Sequence, residues 1–191
     1  MNEKLWEATE GQKKQSNLYK FEKFLSKKYN YNFSKNYPKL LNWSIKNKEK
    51  FWSSIWDFCK VTGEKKYKFK FSKNLMKNKF LVNSKLSFAE NLLSRNDDSK
   101  AITFISENGY REVRSWKKLN NNVNRIVQLF KKVGIKEKDR VACYLPNIIE
   151  TVESFIATSS IGAIWSSCSP DFGAYGVIER FAQIKPKILI I

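Results

Sequence analysis

The feature that most constrains the fold is a regular alternation of short apolar runs and helical patterns in residues 140–191. The apolar runs have the length of strands, and the segments between them carry helical periodicity. In chain order, the predicted elements are strand 140–145, helix 146–161, strand 163–168, helix 174–183 and strand 187–191. Strands joined through such helices run parallel with right-handed crossovers, so we predict at least three strands of a doubly wound α/β sheet.

The last predicted strand, at residues 187–191, has the apolar composition of a central strand. A complete α/β domain normally continues such a strand into a loop and a covering helix, because an unpaired edge is exposed to association. We therefore expect an incomplete sheet and a truncated sequence.

A β-hairpin is predicted immediately before this sheet. Residues 101–106 and 110–114 have strand patterns, and the Asn108-Gly109 pair between them supplies the positive φ of a tight turn. Ser115 then stands where it can cap a long amphipathic helix, and Gly134 marks the end of that helix.

The chain divides near residue 100 into two predicted domains, a helical cap at 1–100 and the first part of an α/β domain at 101–191. The cap is the more basic and less regular region. Its two clearest amphipathic helices carry apolar faces at helical spacing. The residues of these faces are Leu18, Phe21, Phe24 and Leu25 in one helix, and Phe51, Ile55 and Phe58 in the other.

Residues 65–71 alternate strictly between lysine and aromatic side chains. This pattern predicts a half-buried strand, with the aromatic rings at 67, 69 and 71 on one face and lysines on the other. Interleaved rings and lysines can also stack on single-stranded nucleic acid. A lysine-lined edge that guards against sheet aggregation is the interpretation that we favour.

The charge balance bears on possible partners. The net charge is +18, but only six of the 36 basic residues are arginine, the side chain best suited to phosphate forks and base edges. Lysine is also served by A/T-rich codons, so genome composition can produce the excess. We expect a solvated lysine surface and no specific nucleic-acid partner.

Several classes of site and location are disfavoured by composition. The chain has no histidine, which excludes Ser-His-Asp and Cys-His catalysis and histidine-based metal sites within it. Cys59, Cys143 and Cys168 are widely spaced and odd in number, so no disulfide framework or metal motif is predicted. No apolar run suits a membrane span or a secretory signal, and we expect a cytoplasmic protein.

Few residues suggest chemistry. No Gly-rich phosphate loop is present. Asp171 follows a predicted parallel strand, where α/β sheets place ligands, although it could instead cap the next helix. Glu150 and Glu153 could serve as an acid/base pair or form a solvated helix face. Cys168 lacks a base, and we expect a packed thiol.

The stretch IGAIWSSCSPDFG at 161–173, preceded by DRVACYLPN at 139–147, resembles the adenylate-forming acyl-CoA synthetases. Within them it is most similar to the acetoacetyl-CoA synthetases. The cap agrees with this resemblance through LWE at 5–7, FWSSIWDF at 51–58 and LSFAENLL at 86–93. The resemblance covers nearly the whole chain from Leu5 to Ile191.

The resemblance implies a ligase that joins acetoacetate to CoA. ATP and the acid give an acyl-adenylate and pyrophosphate with Mg²⁺, and the CoA thiol then gives the thioester and AMP. The phosphate loop, the ribose-binding aspartate and the catalytic lysine of such enzymes have no counterpart in this chain, so we expect no catalytic or metal-binding residue here and an inactive N-terminal portion whose partner is the missing C-terminal portion. The implied ligand-proximal residues are Ser169, Pro170, Asp171, Phe172 and Gly173.

Two alternatives remain open from the sequence. The chain could be a non-catalytic remnant of a broken gene, or a basic protein that binds anions or nucleic acid through its lysines.

Overall fold

The computed structural model describes residues 5–33 and 36–191. The chain forms two compact units, one that ends at Lys85 and one that spans Leu86–Ile191. These compact units do not test the domain boundary that we predict near residue 100, which stays a prediction.

The first unit is built from helices. They are α1 (Glu10–Gln15), α2 (Asn17–Tyr29), α3 (Tyr37–Lys46) and α4 (Lys48–Phe58). Side chains cap three of them: Thr9 for α1, Ser16 for α2 and Asn36 for α3 each accept a hydrogen bond from a first-turn backbone N–H. Each cap satisfies a donor that the helix itself leaves unpaired.

The core of the first unit confirms most of the predicted helical faces. Phe21 and Leu25 of α2 are buried, and Phe51, Ile55 and Phe58 of α4 pack against the same cluster. The remaining buried members of that cluster are Phe33, Leu40 and Trp43. Leu18 is the exception among the predicted core residues of α2. It lies in the first turn of the helix and is 48% exposed.

The strand predicted at residues 65–71 is wrong as regular structure, although the alternation of its faces is real. Backbone pairing with the chain that returns consists of isolated bridges, Glu64 with Lys85 and Lys70 with Lys79. The returning chain has left-handed backbone at Leu81 and Asn83, which breaks the ladder between the bridges. The rings at 67, 69 and 71 still contact one another in sequence, but Tyr67 and Phe71 are exposed, so the predicted burial of this face is wrong as well.

The second unit begins with α5 (Phe88–Leu92) and the predicted hairpin. Strands β1 (Lys100–Ile105) and β2 (Arg111–Ser115) pair antiparallel around Gly109, whose φ is +82°. Ser115 accepts a hydrogen bond from the Lys118 N–H at 3.2 Å and so caps α6 (Trp116–Lys132), as predicted.

A three-stranded parallel sheet forms the rest of the second unit. Its elements are β3 (Arg140–Tyr144), α7 (Ile149–Ser160), β4 (Ile164–Cys168), α8 (Gly173–Ile184) and β5 (Ile188–Ile190). The strand order is β4-β3-β5, with β3 parallel to both neighbours. The predicted α/β class, the parallel pairing and the alternation of strands and helices are confirmed.

Helix α7 begins at Ile149 rather than at Pro146, where we predicted its start. The carbonyl of Pro146 accepts hydrogen bonds from the Ile148 N–H and the Thr151 hydroxyl, at 2.9 and 2.8 Å. These bonds close a turn before the helix, and Ile148 keeps an extended backbone. Residues 145–148 therefore form a loop at the carboxyl end of β3.

Helices cover both faces of the sheet, and successive residues of each strand point to opposite faces. Val141 lies beside Trp165 and Ile188, and this face packs against α6 and α7. Ala142 points to the other face and packs against Val177 and Phe181 of α8. The arrangement is a doubly wound sheet.

Candidate functional site at the strand ends

The sheet has its topological switch point between β3 and β5, because the chain passes from β3 to β4 on one side and then returns past β3 to β5 on the other. The loop after β3 leads to α7 on one face, and the loop after β4 leads to α8 on the other. Open α/β sheets bind ligands outside the carboxyl ends of their strands. Residues 145–148 and 169–173 are the two loops at this edge of the sheet.

All five residues predicted to lie near a ligand fall in the second of these loops. Ser169 is partly exposed, and Pro170, Asp171, Phe172 and Gly173 are exposed. Pro170–Phe172 form a single 3₁₀ turn, and Gly173 starts α8. The structure therefore leaves these residues accessible, while their contact with a ligand stays a prediction.

The alternative role considered for Asp171, as the cap of the next helix, is wrong. The N-cap position of α8 is Phe172, and no side chain caps that helix. Asp171 instead accepts a 2.6 Å hydrogen bond from the Ser169 hydroxyl through its Oδ2 atom, and its backbone N–H points back to the Ser169 oxygen. The two residues form a closed polar turn directly after β4.

A contact from β3 reaches this turn. The Tyr144 hydroxyl donates a hydrogen bond to the Pro170 carbonyl at 3.0 Å, which joins the carboxyl ends of β3 and β4. Sequence reasoning did not single out Tyr144. The available signal was its position, since it is the last residue of β3 and pairs in register with Cys168, two residues before Pro170.

The start of α8 is held by a second contact that the sequence did not reveal. The guanidinium of Arg180 lies over the Phe172 ring, 4.1 Å from its centroid, and donates a hydrogen bond to the Gly176 carbonyl at 3.0 Å. A Cβ atom on Gly176 would stand 3.3 Å from the Arg180 Nη1 atom, so the missing side chain gives the arginine its path. Stacking of this kind restrains both side chains.

Gly173 has a backbone conformation that other residues rarely adopt. Its φ is +61° and its ψ is 164°, a region that only glycine enters without strain. This conformation turns the chain from the loop into the first turn of α8.

The cysteines in β3 and β4 are packed rather than reactive. Cys168 at the end of β4 is 7% exposed, which agrees with the packed thiol that we predicted. In β3, burial raises the pKa of the Cys143 thiol and so disfavours its thiolate.

The glutamates of α7 are neither an acid/base pair nor a solvated face. Glu153 is buried, and its Oε1 atom lies 2.8 Å from the Nε atom of Arg114. Glu150 is half exposed and contacts the same guanidinium at 3.1 Å. Burial raises the pKa of Glu153 despite the hydrogen bond from Asn122 and the positive charge of Arg114. The cluster joins β2 to α7 and has a structural role.

Two further classes of site can be judged over residues 5–33 and 36–191. No group of three or more histidine, cysteine, aspartate or glutamate residues there could hold a metal ion. Within the same described ranges, no helix is long and apolar enough to cross a membrane. A surface cavity of about 580 Å³ lies in the first unit and is lined by none of the predicted site residues.

Comparison with known proteins gives a consistent result. The model of a family described as AMP-binding enzyme matches residues 89–191. The chain is 40% identical over 156 residues to an acetoacetyl-coenzyme A synthetase of Rhizobium meliloti (strain 1021), with 81% of the chain and 24% of the relative covered. It is 35% identical over 182 residues to the acetoacetyl-CoA synthetase of Danio rerio, with 93% of the chain and 27% of the relative covered.

A solved structure and a relative with another name extend these matches. The acetoacetyl-CoA synthetase from Streptomyces lividans superposes with a TM-score of 0.88 at 25% identity, over 98% of this chain and 30% of that one. The malonamoyl-CoA synthetase vrtB of Penicillium aethiopicum is 31% identical over 185 residues, which cover 92% of this chain and 25% of the relative. The chain thus spans about a quarter of the length of these curated relatives.

Proposed function

Because the chain belongs to the AMP-binding enzyme family, in which it is acetoacetyl-CoA synthetase-like, we propose that it is the N-terminal portion of an acid–thiol ligase. The whole enzyme converts acetoacetate, ATP and CoA into acetoacetyl-CoA, AMP and pyrophosphate. The chain supplies a scaffold and one wall of the ligand channel. By itself it does not carry out the reaction.

The observation that carries this proposal is the position of residues 169–173. They carry the most specific part of the sequence resemblance, and they lie exposed at the carboxyl edge of a doubly wound sheet. Ligands of such sheets bind at the carboxyl ends of the strands. We assign to this segment contact with CoA or with the acyl group.

The groups that the reaction needs fit this chain to different degrees. The loop at 169–173 has exposed backbone and side chains, which fits one wall of a CoA site. The described residues contain no cluster that could hold a metal ion, and the sequence has no Gly-rich phosphate loop. They therefore do not fit Mg²⁺ or the ATP phosphates, and we assign no step through either to this chain.

The acid is the least constrained part of the proposal. Relatives named for acetoacetate and a relative named for malonamoyl-CoA match the chain over similar lengths. Both names describe short acids with a second carbonyl group. Acetoacetate is the acid that we propose, because the relatives named for it have the higher identities.

A chimeric enzyme tests the proposal. Residues 1–191 replace the matched part of the Streptomyces lividans synthetase, and acid-dependent exchange between ATP and pyrophosphate is measured with acetoacetate, malonamate, acetate and propionate. We expect exchange with acetoacetate, and none from residues 1–191 alone.

Two controls determine what the absence of exchange with acetoacetate would mean. A cooperative unfolding transition establishes that the chimera is folded. A folded chimera without exchange for any acid contradicts the proposed ligase role, and exchange with acetate or propionate but not acetoacetate moves the chain to another branch of the family.

A further inference from the structure

Tyr144 stands out because it is the only side chain of β3 that, in the described part of the chain, donates a hydrogen bond to the segment after β4. It is the last residue of its strand and pairs in register with Cys168. The distance from its oxygen to the Pro170 carbonyl oxygen is 3.0 Å. This bond joins the end of β3 to the loop after β4, and the loops that follow the two strands lead to opposite faces of the sheet.

The surroundings of Tyr144 fix the position of its hydroxyl. The ring is partly buried on the α8 face of the sheet, where it packs against the cluster of Ala142, Cys168, Val177 and Phe181. A ring held on one face in this way has few rotamers available. Its hydroxyl is therefore placed at the carboxyl edge of the sheet, in reach of Pro170.

The segment that receives the bond has few other restraints from outside itself. The Ser169–Asp171 hydrogen bonds lie within the turn, and Phe172 is held by Arg180 of the helix that follows. Neither contact connects the turn to β3. The bond from Tyr144 is thus the side-chain hydrogen bond that, among the described residues, fixes residues 169–173 relative to β3.

We propose that Tyr144 is a positioning residue, which holds the Ser169–Gly173 turn in place for ligand binding through its hydroxyl rather than through its ring. The inference rests on the proposed function for the ligand, since it takes CoA as the molecule that the turn contacts. The position of the turn itself is tested without any ligand.

The first arm measures hydrogen exchange on residues 1–191. The Tyr144→Phe variant keeps the packed ring and removes only the hydroxyl. A hydrogen bond contributes a net factor of about five in an equilibrium constant, so we expect the amides of Asp171 and Phe172, which are hydrogen-bonded within the turn, to exchange about fivefold faster. Amides of α6 and β3 are expected to keep their protection. Tyr110→Phe is the matched control, because that hydroxyl contacts Glu112 on the hairpin instead.

The second arm measures CoA binding by calorimetry on the same proteins. We expect a dissociation constant about fivefold higher in Tyr144→Phe and unchanged in Tyr110→Phe. Replacement of Tyr144 by 4-aminophenylalanine restores a donor at the same place, so we expect both binding and exchange to return toward the wild-type values. If only the packing of the ring mattered, Tyr144→Phe would bind CoA and exchange its amides like the wild type, and 4-aminophenylalanine would have no loss to restore.

The two arms separate the failure of this inference from that of the proposed function. If wild-type protein binds no CoA, the CoA assignment fails for this chain, and the exchange arm alone decides the role of Tyr144. Unchanged exchange at Asp171 and Phe172 in Tyr144→Phe overturns the positioning role, whether or not CoA binds. Equal loss of protection throughout the second unit also overturns it, because the hydroxyl would then stabilise the fold as a whole.

Discussion

The buried arginine of the hairpin offers the sharpest test of the fold. Arg114 of β2 is 5% exposed at its side chain, and Glu153 of α7 is 4% exposed. The guanidinium of Arg114 lies 2.8 Å from Glu153, 2.8 Å from Glu112 and 3.1 Å from Glu150. The Nε atom is close enough to Glu153 for an ion pair but makes no directed hydrogen bond. The attraction there is chiefly ionic.

The Arg114→Met variant keeps most of the side-chain volume and removes the charge. Glu153 then stays buried without a cation, and breaking a buried pair in this way costs about 3–5 kcal/mol. The half-exposed Glu150 contributes at most about 1 kcal/mol to that loss. Replacing both partners, as Arg114→Met with Glu153→Leu, removes the buried charge as well, so we expect at least half of the loss to be recovered.

Urea unfolding at pH 7, followed by circular dichroism, measures these free energies. Arg111→Met is the control, because Arg111 is exposed on the same strand and its loss is expected to change the free energy of unfolding by less than about 0.5 kcal/mol. A loss below about 1 kcal/mol in Arg114→Met refutes the reasoning. So does a double variant that is as unstable as the single one.

The same variant has a predictable pH dependence. Burial raises the pKa of Glu153 in the folded protein above its value in the unfolded chain. A carboxyl of this kind destabilises the fold when it is ionised, and the cost disappears as the pH falls through its folded pKa. Removal of the Arg114 charge raises that pKa further. The deficit of Arg114→Met is therefore expected to shrink as the pH falls toward about 4.3, the pKa of an unperturbed glutamate.

Three further predictions concern other parts of the chain. Burial alone would raise the pKa of Asp57, but hydrogen bonds from Lys28 and Lys65 outweigh it and lower that pKa. Asp57→Asn is therefore expected to lower the free energy of unfolding by about 1 kcal/mol at pH 7. Acid titrations are expected to show a smaller loss below about pH 4, where the carboxylate becomes protonated. Gly173→Ala forces a side chain into strained backbone and is expected to lower the free energy of unfolding by about 1–3 kcal/mol in urea, whereas Ala at the helical Gly11 is tolerated. Phe130→Ala empties a fully buried site in α6 and is expected to cost about 3–5 kcal/mol in the same assay, against less than about 1 kcal/mol for the exposed Leu129→Ala.

Local signals in the sequence predicted the elements of the second unit well. The Asn-Gly turn, the Ser115 cap and the periodicity of α6 are each encoded within a few neighbouring residues. The strand at 65–71 failed for the complementary reason. Its pairing depends on the returning chain, where left-handed Leu81 and Asn83 interrupt the ladder. Asparagine favours positive φ, but leucine does not, so the residue type at 81 gives no signal of the break.

Burial of charge was equally hard to predict from local patterns. Glu150 and Glu153 have the spacing of a solvated helix face, but the guanidinium that buries Glu153 comes from a strand 39 positions earlier in the chain. Such partners are set by tertiary packing. The same limit hid Tyr144 and Arg180, whose contacts with the 169–173 segment depend on register and on a missing Cβ atom.

The position of the candidate site depends on strand order rather than on any motif. Periodicity predicts three parallel strands, but it does not distinguish a sheet that grows in one direction from one that reverses. In the observed order β4-β3-β5, the chain steps past β3 after α8. That reversal places the switch point between β3 and β5 and sends α7 and α8 to opposite faces, so the loops after β3 and β4 leave the sheet in opposite directions. With β5 beyond β4 instead, both helices would lie on one face, and residues 169–173 would lead to the same face as residues 145–148.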